Sequence, residues 1–280
     1  MRWRKLLIVI LLLFPLASKA ETQKPLAKES LFAWSASATL TSNYIWRGLY
    51  VGGPSLQLDA TVSYAGVYAN MWWNFGATNW TFTGFNPEVD FTIGFNRWGL
   101  NISYLHCFYF DHYPDGTPSC FFDFNNYPRG GGGTTGEWRV AYAHPIYTSS
   151  KGLTTSLNAL CAFRTFGKDG YYNENLDLKR AYSIYIEVGC DQDMGQNWML
   201  SARVGVTPAK SIYTGYQGDF AVMLVGLKLI KQWRLSYGSF SAFAHVMLQP
   251  WQVTKENLIM PIEQAGNQKL NMAVGCSYGI

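Results

Sequence analysis

Strict alternation of apolar and polar residues constrains the fold of this chain more than any other feature of its sequence. Residues 56–64 alternate without an error, and the same period of two recurs in residues 88–95, 198–206 and 270–280. A β-strand with this pattern has one apolar face and one polar face. The strongest apolar run after residue 20, at 220–227, stops after eight residues. Helices that span a membrane, which need about 20 apolar residues, are therefore excluded for this region.

The alternating segments and the links between them predict a barrel. The links alternate between short ones and longer ones along the chain, and the longest, at 111–135, contains four consecutive glycines. An even number of strands with short turns at one end and long loops at the other is typical of an outer-membrane barrel. We therefore predict an all-β, antiparallel transmembrane β-barrel with short periplasmic turns and long, exposed extracellular loops. Its twelve predicted strands are residues 33–46, 56–64, 67–76, 87–95, 99–110, 136–144, 153–164, 180–189, 197–206, 219–230, 240–248 and 270–280.

The composition supports a membrane-embedded surface. Hydrophobic residues make up 48% of the chain and charged residues only 14%, which excludes a disordered chain and a basic face for nucleic acid. Four of the 22 basic residues lie in the first twenty positions, which leaves 18 against 18 acidic residues in the rest of the chain. So few charges would cover a soluble surface poorly. The alternative is a secreted β-sandwich or lipocalin-like barrel with its apolar faces inside.

The first twenty residues have the features of a secretory signal. A basic start precedes the apolar run 6–16, and Ser18-Lys19-Ala20 places small residues at the two positions that signal peptidase reads. The run is about half the length that a membrane anchor would need. We therefore predict a cleaved signal peptide at 1–20, followed by a single outer-membrane barrel domain at 21–280.

Aromatic residues near the predicted strand ends also favour a membrane. Tyr and Trp prefer the boundary between lipid tails and head groups. The last strand is amphipathic, as the outer-membrane assembly machinery requires, although it ends in Ile280 rather than Phe or Trp. We therefore expect that machinery and outer-membrane lipid as partners. The aromatic residues concerned are Trp34, Tyr44, Trp46, Tyr64, Trp72, Trp73, Trp98, Phe108, Tyr109, Trp138, Trp198, Trp233 and Tyr278.

Charged residues share the parity of the polar faces and therefore point to the lumen. A basic residue at the lipid midplane would cost about 2–4 kcal/mol, so this agreement supports the register. The prediction is a wet pore that admits small polar solutes. The alternative is a salt-bridged filling that holds a narrow barrel closed. The candidate pore-lining residues are Arg47 on the first strand, Asp59, Glu88, Asp90, Glu137, Arg139, Arg164, Glu187 and Arg203.

The segment Ser42-Asn43-Tyr44-Ile45-Trp46-Arg47-Gly48, followed by a Pro-containing loop and an alternating strand, carries a family resemblance. Over residues 39–76 the chain resembles the TorF-type porin family of Gram-negative outer-membrane β-barrels. The resemblance implies an outer-membrane location and a passive channel. A structural barrel whose loops bind a partner, or an outer-membrane enzyme, remain as alternatives.

Cysteine and histidine residues give weaker signals. The five cysteines have no CxxC spacing, and we predict neither a metal site nor a cofactor. Export would permit a disulfide, for which Cys107 and Cys120 are the best local pair. Cys161 and Cys276 share the parity of lipid-facing residues.

The enzyme alternative rests on one possible constellation. His106, His112, His144 and His245 are interpreted as wet-face or loop residues. Ser241, His245 and Asn271 share the lumen parity, whereas catalytic outer-membrane barrels place their chemistry on the outer wall or rim. We therefore predict that the protein is not an enzyme.

Overall fold

The described residues of the chain form a closed antiparallel β-barrel. In a computed structural model these are residues 31–76, 87–110, 112–113, 115–124, 133–251 and 269–280. The signal peptide predicted at 1–20 lies outside them. Twelve described strands close into one all-β barrel, as the alternation predicted. No helix of the described part of the chain is long and apolar enough to cross a membrane.

Twelve long strands form the barrel wall, and four short strands form two separate hairpins. The short strands are β2 (Tyr44–Trp46) with β3 (Leu49–Gly52) and β10 (Gly170–Tyr172) with β11 (Leu178–Arg180). The wall consists of β1 (Phe32–Thr41), β4 (Ser55–Tyr64), β5 (Val67–Gly76), β6 (Glu88–Arg97), β7 (Leu100–Tyr109), β8 (Thr134–Thr148), β9 (Thr154–Gly167), β12 (Ile184–Gly195), β13 (Trp198–Thr207), β14 (Ala221–Arg234), β15 (Ser239–Leu248) and β16 (Leu270–Gly279).

Each wall strand pairs with its neighbours along the chain, and β1 closes the ring on β16. Five short links lie at one end of the barrel, which we call the turn end. Six longer links lie at the other end, which we call the loop end. At the turn end, Ala65 and Gly66 both have positive φ, at 52° and 93°, as a two-residue hairpin requires. Several predicted turns prove shorter than expected, because β8, β12 and β14 continue past the predicted strand ends.

The outer face of the barrel is apolar and the inner face is polar. Val62 and Ile93 are 51% and 53% exposed on the outside, whereas their inward neighbour Thr92 is 8% exposed. Burial inside a soluble core would have hidden the apolar residues instead. The soluble alternative with internal apolar faces is therefore wrong, and the exterior suits lipid.

Aromatic residues form a belt on the outside of the turn end. Trp34, Tyr64 and Trp98 are exposed there on the strands or in the turns. The prediction fails for Tyr44 and Trp46, which belong to a hairpin inside the barrel, where Trp46 packs on Tyr213 with 5.5 Å between ring centroids. It also fails for Trp72 and Tyr109, which lie opposite Asp90 and Glu88 on the inner face of the wall.

The first predicted strand, 33–46, is too long. β1 ends at Thr41, whose Oγ1 donates a hydrogen bond of 3.0 Å to the carbonyl oxygen of Asn43. The Ser42 amide then bonds to the carbonyl oxygen of Val274 at 2.8 Å. The first bond closes a local turn and the second still holds Ser42 to β16, so the chain leaves the wall after Ser42 and the alternation of residues 44–46 belongs to β2.

Two further expectations at the loop end were wrong. The predicted strand 180–189 begins at Ile184, because Leu178–Arg180 pairs with β10. The link at 111–135 is partly packed against the barrel and not fully exposed as expected. Tyr113 is only 4% exposed, and Phe121 packs on His106 with 4.5 Å between ring centroids. Of its four glycines, only Gly133 lies within the described residues.

Candidate functional site

The hairpin of β2 and β3, which we call the inner hairpin, folds into the lumen at the loop end. Its turn consists of Arg47 and Gly48, with φ of 52° and 85°, so both residues adopt the left-handed conformation of a type I′ turn. A Cβ on Gly48 would lie 2.4 Å from the carbonyl oxygen of Met223 on β14. Asn271 on β16 donates a hydrogen bond of 3.0 Å to the carbonyl oxygen of Gly48. Only glycine allows this close approach to the opposite wall.

Arg47, at the tip of the inner hairpin, forms a two-point salt bridge with Glu137 on β8. The distances are 2.6 Å from Nη2 to Oε1 and 2.8 Å from Nη1 to Oε2. The two side chains are 6% and 3% exposed. A bidentate salt bridge of this kind fixes both the distance and the relative orientation of the guanidinium and the carboxylate. The salt bridge therefore connects the hairpin to the far wall.

Glu137 also contacts two arginines of the wall. The Nε of Arg139 lies 2.6 Å from Oε1, and the Nε of Arg164 on β9 lies 4.0 Å from Oε2. A register shift between β8 and β9 sets Glu137 directly opposite Arg164, and such bulges redirect side chains. One carboxylate thus faces three guanidinium groups, which leaves these four residues with an excess of positive charge.

Aromatic rings enclose the Arg47 guanidinium. Its central carbon lies 4.5 Å from the ring centroids of Trp46 and Tyr185 and 5.4 Å from that of Tyr213. The Tyr213 hydroxyl accepts a bond from Arg47 and donates one of 3.3 Å to Glu137. Burial raises the pKa of Tyr213, so its hydroxyl keeps the proton that it donates.

Tyr213 reaches the lumen from the link between β13 and β14, and buried polar contacts fix this link. Asp169 is fully buried and accepts hydrogen bonds from the amide and the hydroxyl of Ser183, at 2.8 and 2.6 Å. The Ser183 hydroxyl in turn accepts a bond of 2.8 Å from the Ile212 amide. We use the name constriction for the group formed by Trp46, Arg47, Glu137, Arg164 and Tyr213.

The other candidate residues form smaller groups along the wall. Asp59 accepts a bond of 2.9 Å from Asn70. Glu187 accepts a bond of 2.7 Å from the Tyr185 hydroxyl and lies 3.7 Å from the Nε of Arg203. Arg203 forms its closer ion pair, at 2.7 Å, with Asp191.

The structure therefore brings four of the nine predicted residues into one cluster: Arg47, Glu137, Arg139 and Arg164. Arg47 reaches it from the inner hairpin and not from the first wall strand, which corrects the prediction. Its positive φ at the hairpin turn separates it from the alternation that had assigned it to the wall.

A cavity of about 360 Å³ lies on the turn side of Arg139. Its lining includes hydroxyl and amide side chains from β4 to β7, together with Arg139, Ala141 and Leu160 of β8 and β9. A water molecule occupies about 30 Å³ in the liquid, so the space holds several. The lumen next to the constriction is therefore polar and wide enough for solvent. Its lining residues include Thr61, Asn70, Thr92, Asn101 and Ser103.

Several lumen residues were not identified from the sequence, for different reasons. Lys228 has the inward parity of its strand and could have been found by continuing the alternation in β14. Asp191 was assigned to a turn, although β12 continues to Gly195. Tyr213 and Asp169 lie in links without alternation, and no sequence signal marked them.

Two carboxylates and a thiol meet on the inner face of β6 and β7. Glu88, Asp90 and Cys107 place one ligand atom each within 4.8 Å of one another. Tyr44 and Tyr109 interact with Glu88, and Asp90 interacts with Cys107. These protein contacts account for much of the cluster, and we assign it no ion.

All five cysteines are free thiols, so the disulfide considered for Cys107 and Cys120 is wrong. Cys107 points into the lumen and is buried, whereas Cys120 lies exposed at the loop end. The two thiols thus lie in different environments. Cys161 lies exposed on the outer face, in agreement with its parity.

The residues considered for catalysis do not form a triad. Ser241 and His245 lie four residues apart on β15, which separates them by about 13 Å. Asn271 uses its amide to hold Gly48 of the inner hairpin. His106 was interpreted as a wet-face or loop residue, but it lies on the outer face under Phe121.

Comparisons with known proteins identify no family for the chain. No family model matches the sequence, and no curated protein matches it significantly. The NanC porin has 10% identity and a TM-score of 0.46, with 88% of this chain and 99% of that chain covered. An outer-membrane channel from Pseudomonas putida F1 has 8% identity and a TM-score of 0.42, with 93% of this chain and 99% of that chain covered. OmpF of Salmonella typhi has 8% identity and a TM-score of 0.40, with 89% of this chain and 97% of that chain covered. With identities of 10% or less and TM-scores below 0.5, these similarities assign neither a family nor a function to this chain.

Proposed function

We propose that this protein is an outer-membrane channel through which small polar solutes pass passively, with its narrowest part at the loop end. The observation that carries the proposal is the cavity of about 360 Å³ beside the constriction, which hydroxyl and amide side chains help to line. A barrel that served only as a rigid wall would gain stability from filling this space with side chains. A path for polar solutes requires space for water and polar groups on its wall.

The number of strands fits a channel whose width is set by internal segments. Barrels of about eight strands are filled by their own side chains, whereas those of 16 to 18 strands leave an open aqueous channel. A twelve-stranded barrel lies between these limits. In this protein the inner hairpin and Tyr213 narrow the lumen. Displacing them would widen the path without changing the wall.

The proposal includes a cellular route. The first twenty residues act as a cleaved export signal, and the amphipathic last strand is recognised by the outer-membrane assembly machinery. The apolar outer face then contacts lipid, and the loop end faces the outside of the cell. The segment at 39–76 relates the chain to the TorF-type porin family on residue pattern alone.

A structural barrel without transport is the second candidate, and one observation favours it. The side chains of Arg47, Glu137 and Arg164 are 6%, 3% and 5% exposed, so the constriction holds its charges away from bulk water. A barrel that binds a partner through its loops would need no open path. The two candidates differ in conductance.

The deciding experiment measures current through the refolded protein in a planar lipid bilayer. Migration on a gel before and after heating first establishes that the barrel is folded. Discrete conductance steps in 1 M KCl, absent from a mock refolding, support the channel. A barrel that migrates as folded and inserts into liposomes, but passes no current, overturns the channel and leaves the structural candidate.

A further inference from the structure

Lys228 stands apart from the other cations of the lumen. Arg47, Arg139, Arg164 and Arg203 each lie within 4.0 Å of a carboxylate. Lys228 has no such ion pair among the described residues. Its Nζ instead lies 4.4 Å from the centroid of the Phe243 ring. Its positive charge is therefore not neutralised by a neighbouring acid.

The surroundings of Lys228 form a second polar cavity of about 140 Å³. Asn43 and Tyr44 of the loop-end link line it on one side, and His245 lies beside Lys228 in the register of β14 and β15. Arg203 of β13 lies opposite Gly226, two residues before Lys228 on β14, so a second cation shares this inward face. The positive charges of Lys228 and Arg203 both act electrostatically on His245. Asp191 and Glu187 balance Arg203, so the uncompensated positive charge that favours a negative ligand is that of Lys228.

We propose that this cavity binds a small monovalent carboxylate in transit, so that Lys228 makes the channel prefer anions. One ammonium group balances one negative charge. The polar side chains of Asn43, Gln57 and Thr41 also line the cavity, but the Thr41 hydroxyl and the Asn43 amide already donate to the carbonyl oxygens of Asn43 and Met272, so Lys228 is the group that attracts the anion. The volume equals that of about four to five water molecules, which suits an ion of the size of acetate. The inference rests on the proposed function, because it assigns a solute class to the channel.

Lys231 provides a matched control. It is another lysine of β14, but it lies at the turn end, where its Nζ donates to the carbonyl oxygen of Gln196 and lies 5.1 Å from the Trp198 ring centroid. Replacing either lysine by glutamine removes the same charge. Only Lys228→Gln removes it from the cavity, and Lys228→Arg keeps it there.

The first measurement is the reversal potential in a KCl gradient across a bilayer. We expect the ratio of chloride to potassium permeability to fall about threefold or more in Lys228→Gln, because the unpaired lumen cation no longer attracts anions. Lys231→Gln and Lys228→Arg should keep the ratio of the parent. An unchanged ratio in a conducting Lys228→Gln barrel overturns the inference while the channel stands.

The second measurement does not depend on conduction. Acetate should raise the unfolding midpoint of the folded barrel in detergent, relative to the same concentration of sodium fluoride, because a ligand that binds only the folded state stabilises it. The rise should persist in Lys231→Gln and vanish in Lys228→Gln. An equal rise in all variants, or none in the parent, overturns the carboxylate site. A parent that shows the rise but carries no current refutes the channel and keeps the site.

Discussion

Glu137 is the carboxylate on which the constriction depends, and its replacement by glutamine should destabilise the barrel more than any other single change in this group. Glu137 is 3% exposed and faces Arg47, Arg139 and Arg164 at 2.6, 2.6 and 4.0 Å. Glutamine keeps the shape but leaves three cations together. Removing one partner of a buried ion pair costs about 3–5 kcal/mol. We expect a loss of this size in the free energy of unfolding.

The matching change on the other side of the salt bridge should cost less. Arg47→Gln leaves Glu137 with Arg139 at 2.6 Å, so no charge is stranded. The loss is that of two charge-assisted hydrogen bonds, about 1.5–3 kcal/mol together, since they share one guanidinium. The double variant should be more stable than the sum of the single losses predicts, because Arg47→Gln also removes one of the three crowded cations.

Urea unfolding of the refolded barrel in detergent, followed by tryptophan fluorescence, gives the three free energies. Bilayer recordings of Arg47→Gln supply an independent readout, because an inner hairpin released from Glu137 should raise the single-channel conductance. A larger loss for Arg47→Gln than for Glu137→Gln would refute the reasoning. So would losses that add within about 0.5 kcal/mol, since residues in one buried network do not behave independently.

Three further predictions test other parts of the molecule. Phe91→Arg places a charge on the outer face and should lower the free energy of unfolding by about 2–4 kcal/mol if it lies near the midplane, whereas Thr92→Arg, on the inner face, should fold and change only the conductance. Equal losses of stability in both variants would contradict the proposal that only one face of β6 contacts lipid. Gly48→Ala should loosen the inner hairpin and make the current noisier, because its Cβ would meet the Met223 carbonyl at 2.4 Å; Gly52→Ala, with nothing within 4 Å, is the control that should match the parent. A membrane-impermeant maleimide added to intact cells should label the exposed Cys120 and not the buried Cys107, and labelling of Cys120 only after the outer membrane is opened would reverse the proposed orientation.

The wall of the barrel could be predicted because its physics is local in sequence. A strand between lipid and a polar lumen must alternate, and residues such as Phe91 and Thr92 therefore reveal their faces directly. The order of the strands followed from the same pattern, since short and long links alternate along the chain. The ends were less accurate, because β8 and β12 extend beyond the predicted turns.

The constriction could not be predicted, because it depends on contacts between distant segments. Residues 44–46 continue the sequence pattern of the first predicted strand, and no neighbouring residue indicates that Arg47 adopts a positive φ. Its left-handed conformation carries an energetic cost of about 1–3 kcal/mol for a residue other than glycine. The salt bridge to Glu137, 90 positions later, offsets that cost. The Trp46-Arg47-Gly48 sequence thus has a physical role that the family resemblance alone did not give.

The inner hairpin links the constriction to the proposed anion site. Its tip carries Arg47, which is held by Glu137, and its first strand carries Tyr44 and Ile45, which line the cavity of Lys228. A three-residue strand joined to a two-residue turn has little freedom to move one end without the other. The width of the lumen and the field within it therefore depend on the same short segment. In a twelve-stranded barrel, whose width lies between those of filled and of open barrels, such a segment sets the width and the charge of the lumen together.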